Sequence, residues 1–306
     1  MPQKLGKLNS ALSKHLLSSV VAFFNLLPHV AATRLGSFLG IAIWAFSKRK
    51  VDKAEARCVS ALGVGVTIAR KIVRRSYANM GRSVVEFVRL PKLRLRLPSL
   101  VSIEGKEHLD EALGRGKGAL LMTAHMGNWE LAGARMVMEG YAITPIYTPQ
   151  RNTVGVEDWV AHLRADGSKM KMVPSKGFAL REAFRALRNG DVLTVLQDLD
   201  ARKEGIIVPF LGVPASSATG IIKMHRRFGS PVVPVVALRD PDGIRHTVHI
   251  QRILSDLPDE EGNPFGVNME KSLKICNNTL SGWIEEYPEQ WMWLLDKWES
   301  VTCVEK

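Results

Sequence analysis

The chain has 306 residues, enough for one large domain or two smaller ones, and 46% of them are hydrophobic, which excludes an intrinsically disordered protein. Its net charge is +12, but residues 1–96 hold 18 Lys/Arg and only 3 Asp/Glu, so residues 97–306 carry a net charge of −3. The cysteines, Cys58, Cys276 and Cys303, are far apart. This spacing argues against a disulfide scaffold or a cysteine zinc site and is compatible with a reducing compartment.

Two apolar runs, at residues 16–27 and 35–47, dominate the start of the chain. Each is shorter than the roughly 20 apolar residues of a membrane span, so they predict one interrupted helix or two helices lying in a membrane face. Basic residues at 48–50 follow, as expected on the cytoplasmic side of a membrane. A cleaved secretory signal is disfavoured because the apolar pattern resumes directly after residues 30–32. We therefore expect residues 1–50 to form a membrane-anchoring helical segment.

Residues 51–98 are predicted to form a basic helical region that ends in a connector. Apolar residues recur at mostly helical spacing, and Pro91 and Pro98 then bracket the sequence KLRLRL, which predicts an extended basic connector. Residues 70–96 carry nine Lys/Arg and one acid, Glu86, so they are predicted to attract a polyanion such as anionic lipid or an acidic protein. No motif with interleaved aromatic residues is present, which favours a membrane surface over nucleic acid as partner.

Residues 99–306 are predicted to form an α/β domain with a mixed, largely parallel sheet flanked by helices. Short apolar runs alternate with amphipathic stretches that end at glycine, as expected of strands and the helices between them. The predicted strands, all of them expected to be buried, are 119–124, 142–147, 192–196, 206–210 and 232–238. The predicted helices lie within 129–140, 179–190, 218–229 and 268–287.

The sequence TAHMGNWEL, residues 123–131, follows the first of these strands and predicts a catalytic site. His125 would end the strand, Gly127 would allow a sharp turn, and Asn128 would cap the next helix. Glu130 in the first helical turn would then reach back to orient the imidazole, as expected of a general base with a carboxylate partner. The alternative is a histidine that only caps a strand and a glutamate on a solvated helix.

No G-x-S-x-G motif lies near this pair to supply a serine nucleophile. A general base at this position would therefore deprotonate a hydroxyl of the substrate itself, while the carboxylate fixes the imidazole tautomer and stabilises the imidazolium. His246 and His249 alternate on a predicted strand without a carboxylate partner, so they do not predict a metal site.

The HMGNWE sequence resembles the H-x4-[DE] block of glycerolipid-type acyltransferases. Nearly the whole chain resembles the late acyltransferases of bacterial lipid A biosynthesis, the lauroyl and myristoyl transferases. The fold implied is a glycerolipid-acyltransferase-like α/β domain, preceded by an apolar membrane anchor. The phosphate-binding FPEG block of glycerol-phosphate acyltransferases is absent, which disfavours lysophosphatidate as acceptor. The resemblance also rests on YTPQRN (147–152), LQDLD (196–200), VPFLGVPASSATG (208–220), GSPVVPVVALR (229–239) and PEQWMWLLDKW (288–298).

This resemblance implies a membrane-associated O-acyltransferase that needs no metal or organic cofactor and no nucleic acid. The donor would be an acyl thioester on acyl carrier protein or coenzyme A. The acceptor would be a hydroxyl of a lipid A precursor or a related membrane glycolipid. The implied location is the cytoplasmic face of the cell inner membrane. His125 would deprotonate the acceptor hydroxyl, Glu130 would orient His125, and the alkoxide would attack the thioester.

Matching to the family's motifs implies further site residues. Arg164 is the implied stabiliser of the oxyanion that the chemistry requires. The alternative for Arg164 is a solvated charge on a helix. The alternative for Asp198 and Asp200 is that each only caps the loop at a strand end. The residues implied to bind substrate are Asn128, Trp129, Asn152, Asp198 and Asp200.

Two departures from the family leave the acceptor open. Thr148 stands where the family usually has arginine, and Lys297 lies in a segment where the family often has a His-Arg-Arg run. The same chemistry on another membrane lipid, such as a glycosylated phosphoinositide or an aminolipid, is one alternative. A non-catalytic membrane adaptor of the same fold is another.

Overall fold

The computed structural model describes residues 18–147, 163–165, 167–168, 170, 172–174 and 180–302. A layer of helices precedes the sheet. Residues 18–26 form α1, and His29–Phe46 (α2), Lys48–Leu62 (α3) and Val66–Val88 (α4) follow. By length and composition alone, α2 is the one helix of the described chain that could cross a membrane.

The connector between α4 and the sheet is helical, so the prediction of an extended segment is wrong. Two short helices, Leu90–Leu93 (α5) and Leu97–Leu100 (α6), flank a 3₁₀ turn at Arg94–Arg96. Both prolines fit because each lies in the first turn of its helix, where a missing N–H costs no hydrogen bond. Four leucines recur at helical spacing, so they lie on one face of this segment and are buried against the sheet domain. They are Leu90, Leu93, Leu97 and Leu100.

One member of the predicted basic surface lies inside the protein. Arg89 is 2% exposed, and its Nη2 donates to the carbonyl oxygen of Leu27 at 2.8 Å. This guanidinium therefore joins α1 to the end of α4 and is not available to a partner. The exposed cations of the same region are Arg70, Lys71, Arg74, Arg75, Lys92 and Arg96.

Nine strands are present in the described chain, and seven of them form the central sheet. In spatial order the sheet runs β1-β9-β8-β2-β5-β3-β4, and only β8 and β9 pair antiparallel. This arrangement confirms the predicted α/β class and the largely parallel sheet. The strands are Val101–Glu104 (β1), Ala119–Thr123 (β2), Ile143–Tyr147 (β3), Val173–Pro174 (β4), Val192–Leu196 (β5), Ile206–Phe210 (β6), Val213–Ser217 (β7), Val232–Arg239 (β8) and His246–Ile250 (β9).

Strand β6 was predicted to be a buried strand like the others, and that prediction is wrong. It pairs only with β7, in an antiparallel hairpin outside the central sheet, and Ile207 is 60% exposed. Its apolar run resembles a buried strand in composition, but a two-stranded hairpin leaves one face in solvent.

Helices cover both faces of the sheet. The faces alternate along β2, where Leu120 and Met122 belong to one apolar core and Ala119 and Leu121 to the other. The first core also holds α9, α10 and α11, and the second holds α7 and α8. The helices are Lys106–Gly114 (α7), Trp129–Met138 (α8), Leu180–Arg188 (α9), Gly220–Phe228 (α10), Met269–Glu286 (α11) and Glu299–Thr302 (α12).

The parallel strands β2, β5 and β8 carry their carboxyl ends to one edge of the sheet. In open α/β sheets this edge is where ligands bind. Helix α4 and residues 288–298 lie over the same edge, since Met126 forms a bridge with Trp291 and α4 contacts the turn at Pro288–Gln290.

Candidate active site

The turn between β2 and α8 is held by its neighbours on both sides. Gly127 has a φ of 60°, and a Cβ there would lie 1.6 Å from the carbonyl oxygen of Ala237, so only glycine fits. The amide of Gly127 donates to the carbonyl of Gln290 at 2.9 Å. Asn128 caps α8 by accepting a hydrogen bond from the Leu131 amide at 3.1 Å. The predicted sharp turn and N-cap are both present.

His125 is held by an aspartate from the neighbouring strand. Its Nδ1 lies 2.9 Å from Oδ1 of Asp198, and its backbone amide donates to Oδ2 at 2.8 Å. The same Oδ2 accepts from the indole N–H of Trp291 at 2.9 Å. Among the described residues, no protein group bonds to Nε2 of the imidazole. The ring is therefore fixed through Nδ1 and has Nε2 free for a substrate.

The register of the parallel sheet explains this contact. Thr123 of β2 is the partner of Leu196 of β5. His125 and Asp198 each stand two residues beyond that pair, so they meet where the two strands end. The aspartate that the family resemblance assigned to substrate binding is thus a hydrogen-bond partner of His125.

Glu130 does not form the predicted hydrogen bond with His125. Its carboxylate lies in the first turn of α8 and faces Arg164, whose Nε donates to both oxygens at 3.1 Å and whose Nη2 donates to Oε1. Arg164 also lies over the ring of Phe87, 5.6 Å from its centroid. A guanidinium that binds both carboxylate oxygens is the stronger partner, which explains why Glu130 turns away from the imidazole.

The electrostatics of the pair follow from burial and charge. Burial by itself lowers the pKa of His125, but the charge and hydrogen bond of Asp198 and the charge of Glu130 outweigh it, so the pKa is raised above its usual value of 6.5. Burial alone raises the pKa of Asp198, but the imidazolium and three hydrogen bonds hold it below its usual value. Asp198 is therefore ionised at neutral pH and stabilises a protonated His125.

Two cavities meet at this site. One, the apolar cavity, runs between α8 and the sheet, and its lining includes Leu121, Gly133, Met136, Ile143 and Met170. The other, the histidine groove, lies between α4 and the turn after β2, and its lining includes Ser76, Met80, Val84, His125 and Met292. Both cavities share Trp129, Glu130 and Arg164 in their walls.

Trp129 lines both cavities and lies beside His125. Its ring packs edge-on against the imidazole of His125, with ring centroids 5.0 Å apart and planes at 75°. Because Trp129 contributes to both walls, it is the predicted substrate-binding residue whose position best fits that role.

The other predicted binding residues have different positions. Asn128 is 1% exposed, and its Nδ2 donates to Glu86 at 2.7 Å while its oxygen caps α8, so both polar atoms are occupied. Asp200 accepts from the backbone amides of Arg202 and Ser300 at 2.9 and 2.8 Å and lines neither cavity. The contacts of Asp200 are those of a loop cap. Asn152 lies outside the described residues.

Two buried groups near the site were missed by sequence reasoning. Glu86, the lone acid of a basic helix, is fully buried. It binds Arg239 through both oxygens at 2.6 and 2.7 Å. Trp291 donates its indole N–H to Asp198. An isolated acid among many cations was the one available signal for Glu86. Nothing local in the sequence pairs Trp291 with Asp198.

Fold and site together define an α/β protein with a histidine–aspartate pair at the carboxyl edge of its sheet and an apolar cavity beside it. The family model described as bacterial lipid A biosynthesis acyltransferase matches residues 4–300. The chain therefore belongs to this family, which confirms the resemblance drawn from its motifs.

Individual relatives are distant. A lipid A biosynthesis acyltransferase of Haemophilus influenzae is 24% identical over 194 residues, which cover 62% of this chain and 57% of the relative. A phosphatidylinositol mannoside acyltransferase of Mycobacterium tuberculosis is 28% identical over 168 residues, 52% of each chain. One of the same name from Mycolicibacterium smegmatis is 24% identical over 232 residues, 74% of this chain and 72% of the relative. The match spans little more than half the length of the first two relatives.

Proposed function

We propose that the protein is a membrane-associated O-acyltransferase that moves a fatty acyl chain from a thioester to a hydroxyl of a membrane glycolipid. The observation that supports this most is the His125–Asp198 pair. His125 lines the histidine groove, no described residue bonds to its Nε2, and an apolar cavity lies next to the groove. The family to which the chain belongs supports acyl transfer as the reaction.

In this reaction, Nε2 of His125 takes the proton of the acceptor hydroxyl as the hydroxyl oxygen attacks the carbonyl carbon of the thioester. A C–O bond forms, and the C–S bond breaks when the tetrahedral intermediate collapses. The leaving thiolate takes the proton from the imidazolium, which regenerates the base. Asp198 stabilises the imidazolium between these two proton transfers.

Arg164 is proposed to stabilise the negative charge on the thioester oxygen. Its guanidinium lies where the apolar cavity and the histidine groove meet, and a fixed cation at this point acts on the developing oxyanion. Glu130 is then a positioning residue for Arg164, held through a bidentate ion pair, and it adds negative charge near His125. Arg164 thus keeps the role that the family resemblance implied. Glu130 positions Arg164 in this proposal, whereas the sequence predicted that it orients His125.

The apolar cavity is proposed to hold the acyl chain and the histidine groove to admit the acceptor. Most residues that line the cavity are apolar, and burying a methylene contributes about 0.8 kcal/mol. The groove contains the base, which must reach the acceptor hydroxyl. The thioester carbonyl would then lie at Arg164, between the two.

A lipid A precursor at the cytoplasmic face of the inner membrane is the proposed acceptor, and acyl carrier protein or coenzyme A the proposed donor. The family's description supports a lipid A acceptor. A second candidate acceptor is a phosphatidylinositol mannoside, which is favoured by the names of the mycobacterial relatives. The chemistry of the site is the same for both acceptors, so only an assay with each acceptor distinguishes them.

The test is transfer of a radiolabelled acyl chain by purified protein in detergent micelles, with each acceptor in parallel and the product identified by mass spectrometry. We expect His125→Ala to lower the transfer rate by about 10²- to 10⁴-fold because the general base is lost. His249→Ala is the matched control, since His249 lies on β9 and lines neither cavity. Wild-type transfer rates in a folded His125→Ala protein would exclude this mechanism.

A further inference from the structure

The inner face of α2 is in backbone contact with α4. A Cβ at Gly36 would lie 2.6 Å from the carbonyl oxygen of Gly81, and a Cβ at Gly40 would lie 2.1 Å from that of Tyr77. A Cβ at Gly81 would meet the carbonyl oxygen of Gly36 at 2.1 Å. Only glycine allows the two helices to approach this closely, so α2 and α4 form one rigid pair.

Helix α4 cannot enter hydrocarbon. Its exposed residues include Arg70, Lys71, Arg74 and Arg75, and burying each such charge at a bilayer centre costs about 2.5 to 3.5 kcal/mol or more. The opposite part of α4 lines the histidine groove. If α2 crossed the bilayer, its partner α4 and the groove would be drawn into the membrane with it.

The outer face of α1 and α2 is exposed and largely apolar, and Arg34 is the one exposed charge on this face of α2. Of the fifteen exposed large hydrophobic residues in the described chain, eight lie between residues 20 and 46. Phe38 is 66% exposed and Phe46 is 90% exposed. These eight residues are Val20, Phe23, Leu26, Val30, Phe38, Leu39, Ile43 and Phe46.

Cations border this apolar face. Lys48, Arg49 and Lys50 follow Phe46 directly and are exposed. Trp44 lies under the guanidinium of Arg70, with 5.4 Å from the guanidinium carbon to the ring centroid. Apolar side chains surrounded by cations and a tryptophan match the chemistry of an anionic bilayer surface, where headgroup phosphates lie above the acyl chains.

We infer that α2 lies in the plane of the bilayer surface, with its outer face in the acyl region and α4 above it, and that it does not span the membrane. The helix of 18 residues is about 27 Å long, slightly less than a hydrocarbon core of about 30 Å. Val84 on α4 is 55% exposed and lines the histidine groove. The groove therefore opens beside the lipid surface, where an acceptor lipid enters by lateral diffusion. This inference rests on the proposed function, because that function makes a lipid membrane the partner of the protein.

Depth measurements test the orientation. In a Cys303→Ser protein, whose remaining Cys58 and Cys276 are buried, single cysteines replace Val30, Phe38 and Phe46 and carry a fluorophore. The protein is bound to vesicles of phosphatidylethanolamine and phosphatidylglycerol that carry a quencher at a shallow or a deep acyl position. Asn189→Cys is the control, because Asn189 is exposed at the end of α9 and far from this face in the chain.

We expect shallow quenching to dominate at all three test positions, and no quenching at Asn189→Cys. A membrane-impermeant thiol reagent added outside unlabelled proteoliposomes should reach Val30→Cys and Phe46→Cys equally. Deep quenching at Phe38→Cys, with Val30→Cys and Phe46→Cys accessible from opposite sides, would show a spanning helix and overturn the inference. Absence of quenching at all three positions would also overturn the inference, because the face would then lie outside the bilayer, either in water or against a second copy of the chain.

Acyl transfer by the same proteins in detergent micelles separates the two proposals. Transfer with deep quenching contradicts only the orientation of α2. Shallow quenching without transfer by the parent protein contradicts only the proposed reaction, and the orientation stands.

Discussion

At the scale of single residues, the proposed proton chemistry depends on one buried hydrogen bond, between His125 and Asp198. Asp198 has no exposed surface, and all three of its contacts are hydrogen-bond donors. Its charge raises the affinity of His125 for a proton. The imidazole is therefore a stronger base, but it stays protonated up to a higher pH. The pH dependence of transfer therefore reports on this pair.

We expect kcat/KM to rise with pH through an acid limb that lies above pH 6.5, because His125 must be neutral to accept a proton. In Asp198→Asn the carboxylate charge is lost, so the pKa of His125 falls and the limb moves to lower pH, while the maximal rate falls by about 10²-fold or more. A pH–rate profile of the two proteins measures both effects.

Asp200→Asn is the control for this profile. Asp200 stands two residues beyond Asp198 but binds Ser300 and does not contact the imidazole, so its variant should keep the position of the limb. A limb that stays at the same pH in Asp198→Asn would contradict the assignment of Asp198 as partner of the base.

At the scale of elements, the α2–α4 pair determines where the exposed apolar face of α2 lies relative to the site. The contact depends on glycines at i and i+4 of α2, a spacing that places both on one helical face. The polar residues His29 and Thr33 lie buried at the start of the same face. The helix thus has one face that packs on α4 and another that is exposed and largely apolar.

We expect Gly40→Ala to destabilise the protein by about 1–3 kcal/mol, because the added methyl meets the backbone of α4, which cannot move aside cheaply. Gly282→Ala is the matched control. Gly282 is exposed inside α11 with no atom near its Cβ position, so the same change there should stabilise by about 0.5–1 kcal/mol. Urea unfolding in detergent measures both, and equal effects would contradict the close packing of the two helices.

At the scale of the whole molecule, the C-terminal segment closes the site. The amide of Met292 donates to the carbonyl of His125 at 3.1 Å, and Trp291 supports Asp198. Lys297 is fully buried, and its Nζ donates at 2.9 Å to the carbonyl oxygens of Leu199 and Ser216. Partners 167 and 93 positions away in the chain, Met292 and Trp291, thus hold His125 and Asp198 in place.

Burial lowers the pKa of Lys297 from 10.5 to about 8, against the opposing charges of Asp198 and Asp200. The folded state therefore releases this proton before the unfolded state does. The cost of the buried charge is fully present below pH 8, and it disappears as the pH rises from about 8 to 10.5.

We expect the contribution of Lys297 to make the free energy of unfolding rise with pH in this window, by up to about 1.4 kcal/mol per pH unit. Denaturant unfolding at several pH values, compared between the wild type and Lys297→Met, isolates the contribution, because the variant lacks the titrating group. An identical pH slope in the two proteins would show that Lys297 titrates as an exposed lysine does.

Local sequence determined much of the fold and part of the site. The strand, turn and helix around His125 follow from an apolar run, a glycine that no other residue could replace, and an asparagine N-cap. The alternation of short apolar runs with amphipathic stretches was sufficient to predict the α/β class. Each of these features is set by residues within a few positions of one another, so the sequence pattern carries them directly.

The tertiary structure decided which carboxylate serves which group. Asp198 reaches His125 because β2 and β5 are neighbours in a defined register, whereas Glu130, only five residues from His125, faces Arg164. The helical connector depends on leucines that only the folded domain can bury, and the position of α2 depends on glycines matched to α4. Such contacts join residues far apart in the chain. Their free energy depends on geometry that no short stretch of sequence defines, and it was therefore settled only when the sheet and its helices packed together.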